Sequence, residues 1–156
     1  MKALLFLFPL SALAAPCPDL QGTFEAKVGD VLNRIEVKQT NCEAFELRTV
    51  NSEGQEIRRK FVTDSVTRTL QDTGRKIETA AARMAKIRVG NNELVALRVD
   101  LTETDRYLET TVHEKIHFYT EGSGEFRGLV ERKDVSGADG ESLGRIYIGY
   151  ASANRP

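Results

Sequence analysis

Apolar and polar residues alternate along most of the chain, and glycine, asparagine and aspartate break the alternation at short intervals. Phe24, Ala26 and Val28 are followed, across Gly29-Asp30, by Ile35 and Val37, the pattern of a β-hairpin. Glu43 to Val50 sets Phe45 and Leu47 on one face and Glu46 and Arg48 on the other, before a turn signal at Asn51-Ser52-Glu53-Gly54. Glu56 to Val62 and Ser65 to Gln71 follow around Thr63-Asp64, and Asp72-Thr73-Gly74 turns the chain again. Lys76 to Val89 has a helix-favouring centre, Thr79 to Lys86. Ile87 and Val89 nevertheless carry it on as a strand to Gly90-Asn91, so one long or bent strand is predicted.

The clearest strand is Asn92 to Leu101, where Val95, Leu97, Val99 and Leu101 alternate with Leu94, Ala96, Arg98 and Asp100. A break is expected at Thr102-Glu103-Thr104-Asp105, then Arg106 to Thr120, a turn over Glu121 to Gly124, and a strand from Glu125 to Lys133. A loop over Ser136 to Gly140 precedes a last strand, Leu143 to Tyr150. Short strands joined by short turns predict an all-β antiparallel meander of about eight to ten strands. An up-and-down barrel is favoured over a sandwich because closure removes exposed edges.

The N-terminus stands outside this pattern. Lys2, the apolar run Ala3 to Leu10, and the small residues of Ala12-Leu13-Ala14 read as a signal peptide over residues 1–14. The run is shorter than the ~20 residues a membrane-spanning helix needs. No transmembrane segment is expected in the mature chain, which is taken as one β-barrel domain over residues 15–156. Its expected destination is periplasmic or extracellular. Lipidation at Cys17 is disfavoured by Pro16, which stands where a small residue is required. In an oxidising compartment Cys17 and Cys42, the only cysteines, are expected to form a disulfide across the open end of the first hairpin.

Charge narrows the classes of partner. The formal net charge is −1, which implies neither nucleic acid nor an acidic membrane. Ile57 to Arg98 holds ten Lys/Arg against four Asp/Glu, and Val99 to Ser142 five against eleven. Neutralisation between adjacent strands accounts for that asymmetry. Arg58-Arg59-Lys60 has no interleaved aromatics to stack bases and reads as a solvated edge. Gly122-Ser123-Gly124 with Gly128 has no strand-to-helix setting for a phosphate loop and reads as a hairpin turn.

Two stretches carry a resemblance to known families. His113-Glu114-Lys115-Ile116-His117 resembles the H-E-x-x-H signature of zincin metalloproteases. On a helix, His113 and His117 would ligate zinc and Glu114 would act as the base that activates its water. The chain departs from that family at Lys115, where the residue is normally apolar, and offers no clear third ligand among Glu121, Glu125, Glu131 and Glu141. Thr110, Thr111, Val112, Ile116, Phe118 and Tyr119 favour a strand instead, with both histidines on its solvent face.

Leu20-Gln21-Gly22-Thr23-Phe24 is similar to the Gly-x-Trp opening of lipocalin and fatty-acid-binding (calycin) barrels, with Phe24 in the tryptophan's place. Arg145-Ile146-Tyr147 is similar to the Arg-x-Tyr pair that holds a carboxylate in fatty-acid-binding proteins. Gly29-Asp30 leaves no room for those proteins' helical lid. The leading expectation is therefore an exported, non-enzymatic binding module for a small apolar or amphipathic ligand, with Arg145 and Tyr147 as its polar contacts and no cofactor. The alternatives are a zinc hydrolase built on His113, Glu114 and His117, and an envelope or partner-binding protein using the basic middle strands.

Overall fold

The computed structural model describes residues 17–28, 31–122, 124–136 and 146–154; the expected leader over residues 1–14 and Arg145 lie outside the described residues. Ten strands and no helix make up the described residues. They are β1 (Gly22–Val28), β2 (Val31–Thr40), β3 (Ala44–Val50), β4 (Glu56–Val62), β5 (Arg68–Asp72), β6 (Lys76–Val89), β7 (Asn92–Asp105), β8 (Thr110–Thr120), β9 (Phe126–Ser136) and β10 (Ile146–Asn154).

Every ladder is antiparallel, and the strand order is β4-β3-β2-β1-β10-β9-β8-β7-β6-β5. Two meanders, β1 to β4 and β5 to β10, are thus joined through β1 and β10. That junction is short, with Glu25 opposite Asn154 and Ala26 opposite Ala153. β4 and β5 are consecutive in the chain but stand at opposite ends of this order, with no ladder between them among the described residues.

Alternation places one residue in two on a shared apolar face. Phe24 lies opposite Ile35, Val37 opposite Leu47, Phe45 opposite Phe61, Ala82 opposite Val99, and Leu97 opposite Phe118. Phe24 stacks on Phe126 with ring centroids 4.7 Å apart, and Phe118 stacks on Phe126 at 5.6 Å. Leu20, from the segment before β1, is fully buried in the same cluster. Its N–H donates to Gln39 Oε1 at 2.9 Å, while Gln39 Nε2 donates to the Pro18 carbonyl at 3.0 Å. One end of the sheet is therefore filled by aromatic rings.

Cys17 and Cys42 are disulfide-bonded, with Cα atoms 5.6 Å apart. The bond ties the segment that carries Leu20 to the β2–β3 turn, at the aromatic end.

β6 is one strand from Lys76 to Val89, paired with β7 along its whole length. The helix propensity of its centre is overridden by that ladder, in which Ala80 and Ala82 pack against Leu101 and Val99. The break expected at Thr102 to Asp105 is not there: β7 continues through it, paired to β6 on one side and β8 on the other. Thr102 and Thr104 suit a strand, and the turn begins at Asp105, whose Oδ1 accepts N–H bonds from Tyr107 (2.9 Å) and Leu108 (3.1 Å). Burial works against the Asp105 carboxylate. The Leu108 and Tyr107 N–H groups and Arg75 outweigh it and hold the carboxyl below its ordinary range. β10 also runs further than expected, to Asn154, because Ala151 to Ala153 pair with Phe126 to Gly128.

Closing a loop of 25 residues is expected to stabilise the fold by about 3.5 kcal/mol in the chain-entropy description. A Cys17→Ala/Cys42→Ala variant should lose about that much in urea unfolding, with a steeper slope of free energy against denaturant because the uncrosslinked unfolded chain exposes more surface. An unchanged midpoint would show that the staple contributes nothing.

Candidate functional site

The core face changes character along the strands. Beyond the aromatic end, Thr49 lies opposite Ile57, Leu47 opposite Arg59, Glu78 opposite Glu103, and Leu101 opposite Glu114. Four strands, β4, β6, β7 and β8, thus each bring a charged side chain to the same end of the sheet. Glu78 and Glu103 face one another across the β6–β7 ladder, an unfavourable pairing unless cations intervene.

Two cations do. Arg59 donates from Nε to Glu78 Oε1 and from a terminal nitrogen to Glu78 Oε2, both at 2.8 Å, a parallel fork on a nearly buried carboxylate. Lys76 Nζ lies 2.8 Å from Glu103 Oε1. The fork to Glu78 raises the Arg59 pKa above its ordinary value against the opposing effect of burial. The charges of Glu78, Glu114 and Glu103 add to the rise.

Two cavities open on this cluster. One, of about 120 Å³, is walled by Ile35, Leu47, Ile57, Ile116 and Phe118 and reaches Arg59 and Glu114 at its polar margin. The other, of about 210 Å³, is bounded by Arg59, Glu78, Leu101, Glu103, Val112 and Glu114. Arg59, Leu101 and Glu114 are common to both. An apolar chamber therefore meets a charged one. The shapes and lining match a molecule with an apolar tail and a hydrogen-bonding head.

Of the residues singled out from sequence, Arg145 lies outside the described residues. Tyr147 is in β10, where the register sets it opposite Arg132, and Arg132 is opposite Glu114. The backbone thus brings Tyr147 to the same row as the charged end. Sequence reading missed Arg59, Glu78 and Glu103. The available signal was that Arg59 shares its parity in β4 with Ile57 and Phe61, which marks it as facing the core.

The H-E-x-x-H segment is strand, not helix: His113 to His117 lie in the middle of β8. Four residues along a strand separate the two histidines by about 13 Å, whereas ligands of one zinc ion sit about 2 Å from it. The one-turn spacing that the zincin resemblance requires is not formed. Glu114 lies on the opposite face of β8, lining both cavities. Among the described residues no group of three or more His, Cys, Asp or Glu side chains is placed to hold a metal ion.

The solvent-face expectation holds for His113, which is exposed, with Nδ1 3.1 Å from Thr102 Oγ1. It fails for His117, which is buried together with its strand neighbour Tyr119. His117 Nδ1 has no hydrogen-bond partner among the described residues. Burial depresses the His117 pKa, and Arg98 depresses it further; Lys115 acts the same way, while Glu131 and Asp100 oppose.

A base whose folded-state pKa is lowered is protonated first in the unfolded chain. Stabilisation from neutral His117 is thus complete above pH ~6.5 and is lost as the pH falls below that value. His117→Leu is expected to flatten the fall in stability between pH 7.5 and 5 measured by urea unfolding; parallel wild-type and variant curves would show that His117 is not the group responsible. Comparison of the chain with protein-family models, with curated proteins and with solved structures finds no match to any of them.

Proposed function

We propose that the sheet curls into an up-and-down barrel with a seam between β4 and β5, and that the protein is an exported, non-enzymatic binding module for a small amphipathic ligand. The cyclic order supports the barrel: each strand pairs with its successor except at β4–β5, and β10 returns to β1. The disulfide is compatible with export.

The observation that carries the ligand reading is the pair of neighbouring cavities that share Arg59, Leu101 and Glu114. An apolar cavity of about 150 Å³ takes a benzene-sized guest. The chamber of about 120 Å³ therefore suits a tail of about six carbons, with its head among Arg59, Glu78, Glu103 and Glu114. Arg145 and Tyr147 extend the polar contacts under this reading, on the strength of their similarity to the fatty-acid-binding pair and of Tyr147's register. The larger apolar part of the interior is occupied by phenylalanine rings, which excludes long-chain lipids from it.

Titration of isotope-labelled protein with hexanol, hexylamine and hexanoic acid tests this. At least one is expected to shift the methyl resonances of Ile35, Leu47, Leu101 and Ile116 saturably, with a Kd of about 1 mM or tighter for so small a molecule. Leu101→Phe, which enlarges a side chain in the wall of the charged cavity, should weaken that binding at least tenfold while leaving the sheet intact by circular dichroism. Absence of saturable shifts with all three, or shifts confined to exposed residues, would overturn the proposal.

A further inference from the structure

The two strands that lack a second partner border a groove. β4 and β5 are joined only by residues 63–67, and the chain is held to β6 between them by Ser65 N–H donating to the Ala82 carbonyl at 2.9 Å. A cavity of about 460 Å³ lies between the two edges, walled by Arg58, Lys60 and Val62 on β4 and by Arg68, Thr69 and Leu70 on β5. An edge strand presents a row of unpaired N–H and C=O groups, which is a template for another strand.

The two edges are not alike. β5 is short, and its ladder slips between Thr69 and Gln71, a bulge of the kind that spoils an edge for pairing. β4 is regular, with seven consecutive residues in register with β3. Its outer edge carries no ladder among the described residues and is the better template.

The chemistry of the groove selects the partner. Arg58, Arg59, Lys60 and Arg68 line it, against the single carboxylate of Glu46. Arg58, Arg59 and Arg68 are paired with Glu56, Glu78 and Asp64, while Lys60 makes no ion pair among the described residues and is left to meet an incoming carboxylate. Val62 on β4 and Leu70 on β5 add apolar surface to the wall of the groove. A strand laid along this edge meets basic side chains interspersed with the apolar Val62 and Leu70.

We propose that the β4 edge, within the β4–β5 groove, is a strand-addition site for an extended acidic segment of another protein, one with apolar residues at alternate positions. Main-chain hydrogen bonds to β4 supply the pairing, and the basic groove supplies the selection for acidic side chains.

The test uses the disulfide-bonded protein and three synthetic probes: acetyl-(Glu-Val)4-amide, its lysine counterpart acetyl-(Lys-Val)4-amide, and an acidic version with alternate backbone nitrogens methylated. The first should protect alternate amides of Glu56–Val62 from hydrogen exchange, saturably, and leave β7 and β8 unchanged. The lysine peptide should bind at least tenfold more weakly. Arg58→Glu/Lys60→Glu should weaken the acidic peptide by a similar factor. The methylated probe keeps the charge and loses the hydrogen bonds, so it should fail to bind. Equal binding of the methylated probe would show plain charge attraction and overturn strand addition. So would the absence of protection in β4. A 12-nucleotide single-stranded DNA that binds as well as the acidic peptide would equally overturn it, showing a groove that takes any polyanion.

Discussion

The ion pair between Arg59 and Glu78 ties β4 to β6, two strands that share no ladder among the described residues. Among the described residues the meander β1 to β4 and the meander β5 to β10 share two ladder pairs, of β1 with β10. At the opposite margin β4 has no ladder to β5, and the fork from Arg59 reaches past β5 to Glu78 on β6. Glu78 is almost buried and Arg59 about one-third exposed. Breaking such a pair from one side costs more than its net contribution suggests, because it strands a charge away from water. The pair acts through geometry: two parallel hydrogen bonds fix how β4 sits against β6.

Much of the candidate site follows from that arrangement. With β4 held there, Arg59 stands at the margin of three spaces at once: the apolar chamber, the charged cavity and the outer groove. The like charges of Glu78 and Glu103, opposite one another in the β6–β7 ladder, are tolerable only because Arg59 and Lys76 each take one of them. The aromatic end has no such tension. There Leu20, Phe24, Phe45 and Phe126 are buried, and the disulfide anchors the segment that delivers Leu20. Apolar burial and the disulfide thus concentrate at one end of the strands, and charged side chains and cavities at the other.

Most of the fold was legible because a period of two is a local signal. It placed β3, β4, β6 and the first part of β7, and it correctly outweighed the helix propensity of Thr79 to Lys86, since Ala80 and Ala82 could be buried in a ladder. It misplaced the end of β7, where Thr102 to Asp105 looked like a polar break. Glu103 in that stretch is held by Lys76, a residue 27 positions away, and no local pattern reveals such a partner. The site was less legible for the same reason. Arg59 sat in a basic run that read as a solvated edge, and its partner Glu78 is 19 residues further on. The H-E-x-x-H spacing drew the eye because two histidines four apart are chemically suggestive on a helix. Here the strand carries one of them, His117, into a buried position and leaves the other, His113, at the surface.

Hydrogen exchange of the wild type beside a Glu78→Gln variant tests the role of the Arg59–Glu78 pair most directly, since glutamine keeps the shape and removes the charge. The account requires exchange to rise in β4 and β5, with β7, β8 and β9 unchanged, and it requires the Arg59→Glu/Glu78→Arg exchange of charges to restore much of the protection. Unaltered exchange in β4 after Glu78→Gln, or a uniform rise across all ten strands, would contradict it. The first would mean that backbone or unrelated packing holds the two halves together; the second, that Glu78 supports the whole fold rather than this margin of it.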